Sequence, residues 1–180
     1  MPRDGRLETA VTLFLAELAP ELASAHDELY PMRVDEHIPL SLTLLYPFAP
    51  RDELTAEHVE RLRAFFASQP RPTFEIARVA QWEEGGAVYG VPEPEVELRA
   101  TMRALWGLFP EHPPYGGAED PPPHASLTLD GGADRAETLA RVEKRLEGLL
   151  PVSFDVGEAV LMEEYEPDVW RGVYAFPFQT

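Results

Sequence analysis

The chain has no cysteine, no apolar run near the roughly 20 residues that a membrane-spanning helix needs, and few basic groups for its 180 residues. Without cysteine there are no disulfides, no thiolate nucleophiles and no cysteine-metal sites, so chemistry is left to histidine, carboxylates and hydroxyls. Residues 7–15 are too short and too acidic at their flanks for a secretory signal, and the expected location is the cytoplasm. Fifteen basic side chains face 32 acidic ones, a net charge of −17. Non-specific affinity for nucleic acid comes largely from cations that displace counterions, so duplex DNA and long RNA are poor partners. A small phosphodiester, a nucleotide or an RNA end stays compatible where a few positive groups converge, and the same acidity also serves solubility. No two histidines have metal-site spacing, so neither a metal nor another cofactor is expected.

What is present begins with a repeat. The motif Ser41-Leu42-Thr43-Leu44 returns as Ser126-Leu127-Thr128-Leu129, and the company it keeps returns in the same order. After the first copy come an expected helix over 56–68, a strand over 74–79 and a strand over 88–92; after the second, a helix over 133–149 and strands over 154–159 and 173–177. Equivalent positions (Ser41 and Ser126, Phe74 and Phe154, Val88 and Val173) keep a nearly constant spacing with one loop-sized slip, as a duplicated supersecondary unit does. A strand over 9–15 and a helix over 20–29 precede the first copy, and a strand over 87–92 and a helix over 95–109 precede the second. The prediction is one α+β domain over 1–180, with copies at about 9–92 and 87–178. They form two pseudo-symmetric lobes of antiparallel-rich sheet with flanking helices around a central cleft. A hydrophobic content of 44% supplies the core.

Strand alternation sorts the motif residues. His124, Ser126 and Thr128 share one face, with Ala125, Leu127 and Leu129 turned to the core; Ser41 and Thr43 share the corresponding face of the first copy. Prolines 110, 113 and 114 and 121 to 123 bracket Tyr115-Gly116-Gly117, giving an extended loop before His124 that serves as a cover or as a plain connector. Tyr115 is its most ligand-suited side chain.

These residues resemble the 2H phosphoesterase superfamily, in particular its bacterial 2'-5' RNA ligase-like branch, whose hallmark is two His-x-Ser/Thr-hydrophobic motifs on pseudo-symmetric strands. His124-Ala125-Ser126-Leu127 is similar to the second motif. Ser41-Leu42-Thr43-Leu44-Leu45-Tyr46-Pro47-Phe48 is similar to the first, with Ser41 where the family has histidine. Pro113-Pro114-Tyr115-Gly116-Gly117 and Leu161-Met162-Glu163-Glu164 extend the resemblance over most of the chain. It implies a cleft in which two imidazoles serve a phosphodiester as general base and general acid while the motif hydroxyls hold phosphate oxygens, on 2',3'-cyclic phosphates or 2'-5' linkages at RNA ends, with no metal.

Imidazole suits that work because it titrates near neutrality, whereas the hydroxyl of Ser41 donates a hydrogen bond but does not exchange protons usefully at pH 7. Losing one acid-base group typically costs about 10²–10⁴-fold in rate. The chain is then a slow esterase relying on His124, an esterase that recruits another residue, or a phosphate- or nucleotide-binding protein without turnover. His37 has the right parity to be recruited but lies four residues from Ser41, roughly 13 Å along a strand, and is read as a loop residue. His26, His58 and His112 are read as surface residues. Tyr46, Tyr89, Trp82 and Trp170 either stack on a base or pack the rim; Tyr174 matches Tyr89 in the repeat. Arg171 and Arg78 are the expected cations at the cleft, with Arg99 and Arg103 as alternatives. The candidate site is therefore His124, Ser126, Thr43 and Ser41 for chemistry, with Tyr46, Tyr115 and Arg171 for substrate.

Overall fold

Alternating apolar and polar residues in Ser41–Leu45 make a strand with one buried face, and the same period recurs along the chain. A computed structural model describes residues 5–30, 38–117, 120–129, 131–132, 134–167 and 169–179. The chain order is β1 (Thr9–Phe14), α1 (Pro20–Leu29), β2 (Ser41–Leu45), α2 (Ala56–Ala67), β3 (Thr73–Gln81), β4 (Val88–Glu93), α3 (Val96–Leu108), β5 (Ala125–Ser126), α4 (Arg135–Leu146), β6 (Val152–Asp155), β7 (Glu158–Glu166) and β8 (Val169–Pro177). The strands form one antiparallel sheet in the order β6-β3-β4-β5-β2-β1-β7-β8. With its four helices this is the expected α+β class. The two halves are not separate sheets: they join where β2 meets β5, through the pair Leu42 and Ala125.

Local sequence explains the helix ends. Pro20 opens α1, where a missing N–H costs nothing. Thr55 caps α2 by accepting from the His58 N–H while the His58 ring accepts from the Thr55 N–H, and Asp134 caps α4 by accepting from Glu137 N–H. One face of the sheet carries Val11, Leu13, Leu42, Leu44, Val88 and Leu161 into a core shared with Leu22 and Leu29 of α1, Leu62 and Phe66 of α2, Leu105 of α3 and Val142 of α4. Trp106 of α3 also donates its indole N–H to Leu44 O at 2.8 Å.

Two expectations need correction. The segment 154–159, read as one strand, breaks at Val156-Gly157 into the end of β6 and the start of β7, and the nine-residue β7 went unrecognised. The second motif strand is only Ala125–Ser126. Beyond it the amides of Leu127 and Thr128 both donate to Val88 O, and Thr128 Oγ1 accepts from Val88 N–H at 2.9 Å. Thr128 is thereby spent on closing the sheet and does not share a face with Ser126, and Leu129, expected in the core, is 53% exposed.

The chain after β5 is held against the β3–β4 hairpin. Gly131 N–H donates to Gly85 O at 2.7 Å, and Arg135 donates to the carbonyls of Trp82 and Glu83, each at 2.6 Å. A Cβ on Gly131 would stand 2.8 Å from the Gly86 backbone, which has no room to yield because Gly86 sits at φ +68°. Gly131→Ala is expected to destabilise the fold by about 1–3 kcal/mol, an overpacking cost. Thermal unfolding checks this, with Gly107→Ala in α3 as control: a Cβ there meets nothing within 4 Å, and that variant should hold or gain stability.

Candidate functional site

The pairing of β2 with β5 sets the site. With Leu42 opposite Ala125, the antiparallel register brings Ser41 towards Ser126 and Thr43 towards His124, just before β5, while Leu42 and Ala125 themselves point into the core. Cross-strand neighbours of this kind have Cβ atoms about 4.5–5.5 Å apart. The strands then part. Before Ser41 the chain turns to give Leu40 O to the Leu15 amide, and after Ser126 it is drawn to Val88. A pocket of about 60 Å³ occupies the opening, lined by Ser41, Thr43, Ser126, Pro39, Ile38 and, from α1, His26 and Tyr30. Thr12 of β1 lies opposite Thr43 on the same face, and its buried hydroxyl has no hydrogen-bond partner among the described residues.

His124 is 8% exposed and its Nδ1 lies 2.9 Å from Pro122 O. A carbonyl oxygen only accepts, so this contact fixes the proton on Nδ1 and leaves the lone pair of the neutral ring on Nε2. Trp82 and Tyr89 meet the imidazole edge-on, with ring centroids at 5.1 and 5.7 Å. Burial pulls the His124 pKa below its ordinary value, and the Pro122 carbonyl offsets part of that. The ring is thus a neutral base at pH 7.

The other expected residues divide. Tyr46 and Tyr115 come together, with centroids 6.0 Å apart; Trp170 lies 6.2 Å from Tyr46, and Tyr115 N–H donates to Tyr46 O at 2.8 Å. Tyr46 donates its hydroxyl to Glu8, and loss of solvent pushes the Tyr115 phenol up to about 12. Five residues of strand, roughly 16 Å, separate this cluster from Ser41, so it does not line the pocket. Arg171 is not brought to the site. It opposes Glu163 and grips its Oε1 with Nε at 3.1 Å and Nη2 at 2.7 Å, and strand alternation turns it to the opposite face from Trp170. Arg78 pairs with Glu93, and Arg99 and Arg103 with Asp120. Tyr89 stands beside His124, whereas Tyr174, 44% exposed, is on the helix side of β8 opposite Leu161, so the repeat does not give them one role. His37 lies outside the described residues.

His26 is the residue that the sequence reading misplaced. It is 2% exposed, not on the surface, and lines the pocket; its Nδ1 is 3.2 Å from the Asp27 carboxylate and its ring 5.1 Å from that of Tyr30. The signal was there. Leu22, Ala25, His26 and Leu29 recur at helical spacing, which puts His26 on the buried face of α1. His58 and His112 also converge, with Glu111, into a cluster whose candidate ligand atoms lie within 4.8 Å of one another, although no spacing announced it. His58 Nδ1 accepts the Thr55 N–H, which fixes the proton of the neutral ring on Nε2, and the Arg61 guanidinium is 3.5 Å from the Glu111 carboxylate. That arrangement serves a helix cap and an ion pair, and a cation there would have to displace both.

A histidine whose folded pKa is lowered takes its proton first in the unfolded chain, so it adds stability above its unfolded pKa that is lost as pH falls through the folded value. Thermal midpoints of the protein and of His124→Gln should therefore converge as pH falls below about 6.5. A difference independent of pH would show that His124 is not held neutral.

The geometry can be set beside known proteins. No curated protein matches the sequence. Among solved structures the fold is similar to E. coli LigT complexed with 3'-AMP (TM-score 0.60, 18% identity, 97% of this chain and 99% of that one) and complexed with NADP+ (TM-score 0.62, 16% identity, 98% and 100%). It is similar also to TT0787 of Thermus thermophilus (TM-score 0.59, 20% identity, 96% and 98%). At these identities the likeness is one of fold. A family model described as the 2'-5' RNA ligase superfamily matches residues 10–168, and with strands β2 and β5 carrying the motif hydroxyls side by side, the chain belongs to that superfamily, the 2H phosphoesterases.

Proposed function

We propose that the protein is a 2'-5' RNA ligase-like cyclic phosphodiesterase that acts in the cytoplasm on a small phosphodiester or an RNA-end 2',3'-cyclic phosphate, at a reduced rate. The observation that carries this is the pairing of β2 with β5 through Leu42 and Ala125, with Ser41, Thr43 and Ser126 lining a pocket of about 60 Å³ and His124 immediately before β5. The hydroxyls of Thr43, Ser126 and Ser41 donate to phosphate oxygens. His124, with its lone pair on Nε2, takes the proton of the attacking water as the new P–O bond forms. In-line departure of the ribose oxygen needs a proton donor on the other side, and Ser41 does not supply one. A purine or pyrimidine stacks against Trp82 and Tyr89, whose rings lie 4.5 Å apart beside His124. The solved complexes of E. coli LigT with 3'-AMP, ATP and NADP+ support a nucleotide as ligand here. The sheet order about the β2–β5 junction supports reading the chain as a single domain of duplicated units, about 9–92 and 87–178.

Ser41 favours one other reading, a nucleotide- or phosphate-binding protein of the same fold without turnover. Two variants separate them. His124→Ala should lower hydrolysis of adenosine 2',3'-cyclic phosphate by about 10²–10⁴-fold. The double variant Thr43→Ala with Ser126→Ala should weaken calorimetric binding of 3'-AMP by about tenfold or more, since a hydrogen bond to a charged group is worth about 1.5–3 kcal/mol. Turnover that ignores His124→Ala would sink the catalytic reading; binding without any turnover would establish the other; and absence of both would remove the site.

A further inference from the structure

The site lacks an imidazole on β2, yet a second imidazole reaches its pocket from α1. We propose that His26 is the proton-donating partner of His124, contacting a phosphodiester held by Ser41, Thr43 and Ser126. The inference rests on the phosphodiesterase reading above and goes beyond it by giving the missing role to a residue outside both strand motifs.

Three observations converge. His26 lines the same opening as Ser41, Thr43 and Ser126, and the opening holds a few waters' volume, so any phosphoryl group in it sits within reach of all four. The helix does not leave His26 free to wander: Leu22, Ala25 and Leu29 on its face are in the core, and the ring is 2% exposed. Asp27 Oδ1 lies 3.2 Å from Nδ1. The carboxylate accepts the Nδ1 proton and so orients the ring, leaving Nε2 as the nitrogen through which a proton is exchanged. The two histidines are thus set apart. Among the described residues His124 pairs with no carboxylate, its ring lying against Trp82 and Tyr89 and its Nδ1 on a backbone carbonyl, whereas His26 pairs with an acid. Two imidazoles with different partners are what a base and an acid in one displacement require.

The step balances with water as co-reactant. A water oxygen bonds to phosphorus as the bond from phosphorus to the ribose oxygen breaks; Nε2 of His124 takes a proton from the water, and Nε2 of His26 gives one to the leaving ribose oxygen. The product is a nucleoside monophosphate, and the two imidazoles have exchanged protonation states, to be reset by solvent.

The test uses His26→Gln, Ser41→His and their combination, with adenosine 2',3'-cyclic phosphate for turnover and inorganic phosphate for binding. His26→Gln should lower kcat about 10²–10⁴-fold with KM little changed, and a bell-shaped pH profile should lose one limb. Ser41→His should then restore turnover at least tenfold in the His26→Gln background while adding little to the unmodified protein, an outcome that a packing role for His26 does not produce. Activity and a pH profile that survive His26→Gln but collapse in His124→Ala would overturn the inference and leave the phosphodiesterase reading in place. If the unmodified protein binds phosphate without turnover, that reading fails as an enzyme. His26 is then judged by phosphate affinity, which should fall at least threefold in His26→Gln; unchanged affinity overturns the contact. Should His26→Gln not fold, the imidazole resonances of the unmodified protein titrated with phosphate decide it: His26 must shift together with His124, and a shift at His124 alone overturns the inference.

Discussion

The shortest strand pair among the described residues carries the candidate site. β2 and β5 meet through Leu42 and Ala125, and everything on either side hangs from that junction: β4, β3 and β6 outward from β5, and β1, β7 and β8 outward from β2. A longer pairing would close the sheet and leave no opening. The capture of residues 127 and 128 by Val88 limits β5 to two residues, and the same hydrogen bonds that end the strand create the gap that α1 lines. Strand alternation alone would give a polar stripe on a flat sheet; it is the early end of a strand that turns the stripe into a recess.

Electrostatics follow an economy that suits an acidic chain. Arg6, Arg51, Arg61, Arg71, Arg78, Arg99, Arg103, Arg145 and Arg171 each lie within ion-pair distance of a carboxylate. These pairs are mostly at the surface, where each contributes little to stability, but they occupy the cations that an anion would otherwise find. A phosphate at the pocket is then met by hydroxyls and imidazoles. Hydroxyl donors bind it through geometry, and such binding depends less on ionic strength than a cluster of guanidinium groups would.

Much of this was legible in the sequence, and the parts that were not share a cause. The class of fold, the helices α1, α2 and α3 to within a residue or two at their ends, and the placing of Ser41 and Thr43 on a strand beside that of Ser126 follow from period and repeat, with His124 just before the second strand. β7 has no clear counterpart in the repeat, because matching Phe74 to Phe154 predicts one continuous strand across Val156-Gly157 where the chain breaks into β6 and β7. Thr128 and Arg171 failed for another reason: alternation assigns a face, but a hydroxyl close to an unpaired amide, or a guanidinium opposite Glu163, is claimed by that neighbour first. His26 departs from the surface reading because its spacing with Leu22 and Leu29 puts it on the buried face of α1.

The aromatic wall beside His124 makes the site observable without any added label. Trp82 meets the imidazole edge-on at 5.1 Å and lies 4.5 Å from Tyr89, while Trp106 is tied to Leu44 O and Trp170 stands with Tyr46. An imidazolium quenches indole emission where a neutral imidazole does so far less, so the proton on His124 is written into the fluorescence of Trp82. In a chain whose other two tryptophans are replaced by phenylalanine, an emission titration reads the charge of that one ring directly.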